Sequence, residues 1–558
     1  MIGFEVELDR RVADTSGAMF AGDRDLAACI GGFKIVTDKR GAPRVGNPKE
    51  ETSYSNIELV TVPFDQSAGL DPLMAAVTAM HSFTTTCYKI DKMTPLANVL
   101  EASGLKCDLT ADGVGAGVYP ATDLIRKSGR EYQVHDQGAD SLFVHYTVGF
   151  PVGRLYDALE WVTKKTRDDA EDADDIDYPI TNANRGLRAG RAAAQLFVFW
   201  AQAQPIAVSE ADVRALAGFV ALVYTQVAAC IDHAEPGSKG QVKNKAVALS
   251  RVPLRAVAEA LPVAVQSFLR QQAWIDMLND DKVGPSVSDL ANFIAGQAVA
   301  AQEAVDDRSA GEDAPAAILK FQAEIDEVKK RLASIYMTLA AATATTREDL
   351  EKQRLEALRT LGERQVNMEK WSDILADYQG AVQARDAWQS LVTAVPSELA
   401  DLNAARVAGK FPWSVIDHAI VPALEGRLLA DDLGAAEPGT LFKPGPGTGK
   451  KAPDGGLPHE LATEMISDLG GREITVGAYL RSALLAPCQP PIWQNMLFGG
   501  MHEVKAPDLF QISDGRKCAL IPLELRSYGE SEITWVGLVA ALKEIADVSL
   551  KLMEAALS

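Results

Sequence analysis

The chain has 558 residues, 47% of them hydrophobic and 23% charged, so it has ample apolar surface for a core of its own. That length suits roughly two to four domains, or one large fold carrying insertions. With 55 Lys+Arg against 76 Asp+Glu the formal charge is −21, a field that repels duplex nucleic acid and anionic membrane surfaces, and neither is an expected partner.

The opening MIGFEVELDRRV sets acids among its first seven residues and has no apolar run of the length a signal peptide needs. Strands are expected at Gly3 to Leu8, Phe33 to Thr37 and Ile57 to Val62, where Val, Ile and Phe alternate with polar residues and Gly/Asn/Pro-rich segments intervene. Segment 66–81 is apolar at helical spacing. Gly113-Val-Gly-Ala-Gly117 reads as a turn. Segment 141–150 (SLFVHYTVGF) is again strand-like, and helices are expected over 151–166, 185–203 and 208–232. The most apolar stretches, Ala192 to Ala201 and Ala215 to Cys230, fall short of a membrane span and read as buried helices.

The middle of the chain changes character. Ile318, Phe321, Ile325, Val328, Leu332, Ile335 and Leu339 are spaced three and four apart, as a heptad seam is. A polar stretch follows in which Thr346 and Asp349 have capping-box spacing. A second helix is expected from about Leu350 to Val392, with Leu358, Leu361, Met368, Leu375, Tyr378 and Val382 on one face. The pair reads as an antiparallel helical hairpin, either packed within its own protein or offered to a protein partner. Residues 433–458 are Gly/Pro-rich and read as a linker. Within them KPGPGTGKK is a poor phosphate loop, since Pro444 stands where the first Gly belongs and Lys451 replaces the Mg²⁺-binding hydroxyl. A last strand, 518–525 (CALIPLEL), follows.

Strands at both ends with helices between predict an α+β fold, an antiparallel sheet with flanking helices and the hairpin inserted. The expected divisions are 1–285 and 459–558 for the sheet domain, 286–432 for the helical insertion and 433–458 for the linker. The six cysteines (29, 87, 107, 230, 488 and 518) include no CxxC pair, so neither a zinc knuckle nor a disulfide framework is expected. A reducing, cytoplasmic setting fits, with signal-less secretion left open.

Several strands carry chemistry. Glu5 and Glu7 are two apart and share a strand face, where like charges are costly unless a cation lies between them. Hard cations such as Mg²⁺ take oxygen ligands of this kind. Asp38 ends the second strand, Glu58 sits inside the apolar run Ile57-Glu-Leu-Val, His145 is a lone polar ring in its strand, and Glu524 and Arg526 again share a face.

In order, GFEVEL, KIVTD, IELVTVP, VHYTVGFP and LELRS resemble the glutamate–cysteine ligase and amidoligase group, carboxylate–amine ligases of the glutamine-synthetase-like fold. The resemblance covers about 1–260 and 457–558. It implies Glu5, Glu7 and Glu58, with Glu524 as a further candidate, as ligands of Mg²⁺ or Mn²⁺ bound with ATP. It implies Asp38 and His145 beside metal and substrate, and Arg526 on a phosphate. Lys243, Lys245 and Arg251 resemble, more loosely, a basic stretch that touches phosphates. The implied reaction activates a small-molecule or peptide carboxylate as an acyl phosphate, which an amine attacks. The alternatives are phosphoryl transfer without ligation, a delivered effector, or a binding protein acting through its helical arm.

Overall fold

The computed structural model describes residues 1–14, 20, 24–40, 54–119, 142–169, 173–203, 206–231, 246–252, 254–278, 287–340, 344–407, 415–420, 423, 465–467, 473–475, 508–511, 517–526 and 533–557. The chain divides into two compact units, one of residues 1–268, 415–483 and 496–558, the other of 269–414 and 484–495. The helical unit therefore starts before 286 and ends before 432. Val415, Ile416, Ala419, Ile420 and Ala423 are buried and belong to the first unit, where the Tyr224 hydroxyl donates to the Ala423 carbonyl at 3.3 Å.

The first unit is mixed α+β. Its strands are β1 (Ile2–Asp14), β2 (Arg24–Cys29), β3 (Phe33–Arg40), β4 (Tyr54–Thr61), β5 (Thr94–Pro95), β6 (Cys107–Leu109), β7 (Ala116–Tyr119), β8 (Phe143–Pro151), β9 (Ala248–Ser250), β10 (Met465–Ser467), β11 (Glu473–Thr475), β12 (Asp508–Gln511) and β13 (Lys517–Leu525). All but β10 and β11 form one sheet, in the order β12-β13-β8-β1-β4-β3-β2-β6, with β7 also on β1, β5 on β7 and β9 on β13. Among the described residues every pairing in it is antiparallel.

Period-two patterning explains how this sheet sits. In β1, Ile2, Phe4, Val6 and Leu8 are buried while Gly3, Glu5 and Glu7 are only partly so. Ile57 and Leu59, Tyr146 and Val148, and Leu523 and Leu525 continue the apolar face across the neighbouring strands. Helices α1 (Asp71–Tyr88), α4 (Leu155–Asp169) and α12 (Trp535–Leu557) pack against it, and α2 (Leu96–Ala102) and α3 (Ala111–Val114) lie near its edge. His81 stacks on Trp535 at 4.9 Å, and Gln66 Nε2 donates to Ser549 Oγ at 3.0 Å. Helix α3 and β7 meet at the turn expected around Gly113 to Gly117.

Helices α5 (Ala173–Ala203) and α6 (Glu210–Ile231) form the second layer, with α7 (Leu254–Glu259) and the start of α8 (Val263–Leu278) beside them. Gly190 lets α5 and α6 approach closely, since a β-carbon there would lie 2.3 Å from the Ala217 carbonyl oxygen. By length and composition the stretch Glu210–Ala228 would pass for a membrane span, contrary to the sequence expectation, but 78% of it is buried inside the molecule. A core helix passes the same test.

A disulfide joins Cys29 to Cys107, correcting the expectation of none. The pairing of β2 with β6 sets these residues directly opposite one another, a proximity that 78 residues of separation hide in the sequence.

The second unit holds α9 (Val287–Asp306), α10 (Ala314–Ala340) and α11 (Ala344–Val407). Ile325, Leu332, Ile335, Ala357 and Leu361 form a buried cluster, with Val328, Leu339 and Met368 against it, so the heptad seam packs largely as expected. Two details differ. Leu358 is 37% exposed and Ala357 takes its place in the seam, and α11 begins at Ala344, so Thr346 lies inside the helix rather than at its cap. Helix α11 also runs on past Val392, and α9 packs along it, with Phe293 edge-on to Trp388 at 6.5 Å. The linker 433–458 lies outside the described residues.

Candidate functional site

Residues directly opposite on neighbouring antiparallel strands share a face. Glu5 pairs with His145 on one side and Val60 on the other, and Glu7 pairs with Phe143 and with Glu58. Glu524 pairs with Thr147, which pairs in turn with Gly3. Glu5, Glu7, Glu58, His145 and Glu524 therefore stand on the single face opposite the apolar one, and Arg526 continues it two residues beyond Glu524. Residues from sequence positions 5 to 526 meet there because β13 returns to β8.

Arg251 reaches the same face from the end of β9, its backbone N–H donating to the Pro522 carbonyl at 2.9 Å. Its guanidinium donates to Glu524 Oε2 at 2.7 Å and to Glu5 Oε1 at 3.1 Å. Arg526 donates to the other Glu524 oxygen. Glu524 is thus held between two guanidinium groups with its side chain 3% exposed. Burial pushes the Glu524 carboxyl up, but Arg251 and Arg526 outweigh it and hold the group below its ordinary value of 4.5. Burial works equally against charge on Arg251, and Glu5 with Glu524 raise its pKa above the ordinary value.

His145 Nε2 lies 3.5 Å from Glu7 Oε1, and the ring packs edge-on to Phe143 at 4.8 Å. His145 Nδ1 and Arg526 Nε are buried without hydrogen-bond partners. Buried polar atoms of this kind cost free energy until something satisfies them.

Glu5, Glu7, Glu58, His145, Glu524, Arg526 and Arg251 are therefore brought together. Asp38 lies in β3 with its backbone paired to Asn56, one strand beyond Glu58. Lys243 and Lys245 lie outside the described residues. Glu524, expected as a further metal ligand, has both oxygens occupied by arginine, and Glu5 shares Arg251 with it. Among the described residues no group of three or more His, Cys, Asp or Glu is gathered as a metal ion would need. Oxygen donors of the right kind are present in Glu5, Glu7 and Glu58, but a cation bound to Glu5 would have to displace Arg251. No protein-family model, curated protein or solved structure matches the chain.

Reading the sequence by motif missed Asn56. It stands two residues before Glu58 in β4, and the same period-two rule that paired Glu5 with Glu7 would have found it.

Proposed function

We propose that this chain is an ATP- and metal-dependent carboxylate–amine ligase built on a glutamine-synthetase-like sheet. One observation carries the reading: the register of β13, β8, β1 and β4 gathers four carboxylates and a histidine on one face, and Arg251 and Arg526 are hydrogen-bonded to them there. The excess of carboxylates over arginines suits a site that admits a divalent cation. ATP supplies the phosphoryl group that activates a substrate carboxylate for attack by an amine.

The protein's own part is positioning and charge compensation. Arg251 and Arg526 are held by Glu524, so their guanidinium groups are fixed before an anion arrives. Arg526 Nε is free to donate to a phosphate or carboxylate oxygen. Glu7, against His145, holds the imidazole with Nδ1 left for a ligand, where it can take or return a proton. Glu7 and Glu58, with Glu5 where Arg251 is displaced from it, would hold the cation, which would offset phosphate charge when bound.

Turnover is the test. Full-length protein with Mg²⁺ and ATP, offered panels of carboxylates and amines, releases phosphate only when both are present, and Glu58→Gln loses a hundredfold or more of that rate. Phosphate release independent of any amine, with a stable phosphorylated product, overturns ligation in favour of phosphoryl transfer.

A further inference from the structure

Asn56 is 1% exposed, and neither its Oδ1 nor its Nδ2 has a hydrogen-bond partner. Strand β4 runs without a bulge against β3, so Asn56, Glu58 and Val60 share one face, the face of the acids and arginines. A buried carboxamide with both ends unsatisfied is costly, and a planar ligand edge offering one donor beside one acceptor would satisfy both.

The surroundings narrow the ligand. Arg11 pairs with Asn56 on one side and with Tyr119 of β7 on the other, so Tyr119 stands on the same face at the same level. Its ring lies beside Gly117, where a β-carbon would meet Tyr119 Cε2 at 3.5 Å and Met93 Sδ at 2.9 Å. An aromatic and a thioether thus wall this end of the face, suited to the flat surface of a ring. Asn56 lies two strand residues, about 7 Å, from Glu58, and four, about 14 Å, from the level of Glu5 and His145. That separation places a base at Asn56 when the triphosphate lies among the acids and arginines.

We propose that this end of the sheet face is the base subsite of the nucleotide, with Asn56 reading the adenine edge. Adenine donates from its N6 amino group beside a ring nitrogen that accepts, the pair a carboxamide complements with two parallel hydrogen bonds. The inference rests on the ligase reading above, but only on its nucleotide.

Equilibrium binding to the full chain tests it, with Mg²⁺ complexes of a non-hydrolysable ATP analogue, of its N6,N6-dimethyl derivative and of inorganic tripolyphosphate as probes. The wild type is expected to prefer the unmodified analogue about tenfold or more over the dimethyl derivative. Asn56→Leu abolishes that preference, leaves tripolyphosphate affinity unchanged, and melts no lower than wild type because it removes a buried unsatisfied amide. Should the leucine variant fail to fold, Asn56→Asp is measured in its place, with the same loss of preference expected because a carboxylate cannot donate to the ring nitrogen. A preference that survives substitution overturns the inference, as does a wild type that binds both analogues equally; the ligase reading then stands. A chain that binds none of the three probes overturns both. A weakened affinity for the carboxylate substrate with base preference intact overturns it too, since Asn56 would then serve the substrate.

Discussion

Arg251 and Glu524, separated by 273 residues, meet at 2.7 Å with little of either side chain exposed. Arg251 also holds Glu5, so one guanidinium ties the first strand of the sheet to the last. A buried pair of this kind is expensive to break from one side only. Arg251→Met is expected to destabilise the sheet unit by about 3–5 kcal/mol, because Glu524 keeps its burial and loses a counter-charge. The double variant Arg251→Met/Glu524→Gln should recover part of that loss. Denaturant unfolding of the three proteins measures it.

Arg526 and Glu524 share a pleat, and Arg526 keeps Nε unpartnered in the interior. Lysine retains the charge and loses the fork. Arg526→Lys should fold with near-native melting and bind Mg·ATP roughly tenfold or more weakly. Lower melting with unchanged nucleotide affinity would reduce Arg526 to an ion-pair partner.

Glu524 also sets a pH dependence. Its carboxyl is held below 4.5 in the fold, so the folded state binds its proton more weakly than the unfolded state does. The stability this contributes is fully present above pH 4.5 and is lost as pH falls through the lowered folded value. Stability measured from pH 6 down to pH 3 should decline more shallowly in Glu524→Gln than in the wild type.

The helical unit offers a control within one seam. Leu332 is 4% exposed and Leu358 is 37% exposed. Leu332→Ala should cost about 2–5 kcal/mol and Leu358→Ala about 0.5 kcal/mol or less, read from chemical denaturation. Equal costs would show that the pair packs in another register.

The Cys29–Cys107 bond closes a long loop. Cys29→Ser is expected to lower stability by about 2–4 kcal/mol under oxidising conditions and to have little effect in the presence of reductant. Unfolding midpoints with and without dithiothreitol separate the two.

Local periodicity alone located the strands at Glu5, Glu58, His145 and Glu524, because a half-buried strand must alternate and a single acid inside an apolar run betrays the face it occupies. The heptad seam through Ile325, Leu332 and Ile335 was legible for the same reason, since burial along a helix repeats over a few residues. Leu358 was misplaced because a long helix drifts against an ideal repeat, and small Ala357 carried no apolar signal. What joined the acids into one site was register between strands far apart in the chain: Glu7 opposite Glu58, Glu5 opposite His145, and β13 returning to β8. The two carboxylates that Arg251 bridges and the Cys29–Cys107 bond belong to that second kind of information. Each rests on a neighbour tens or hundreds of residues away. Side-chain alternation is a property of the local backbone, whereas pairing between distant strands is settled only when the whole sheet buries its apolar face.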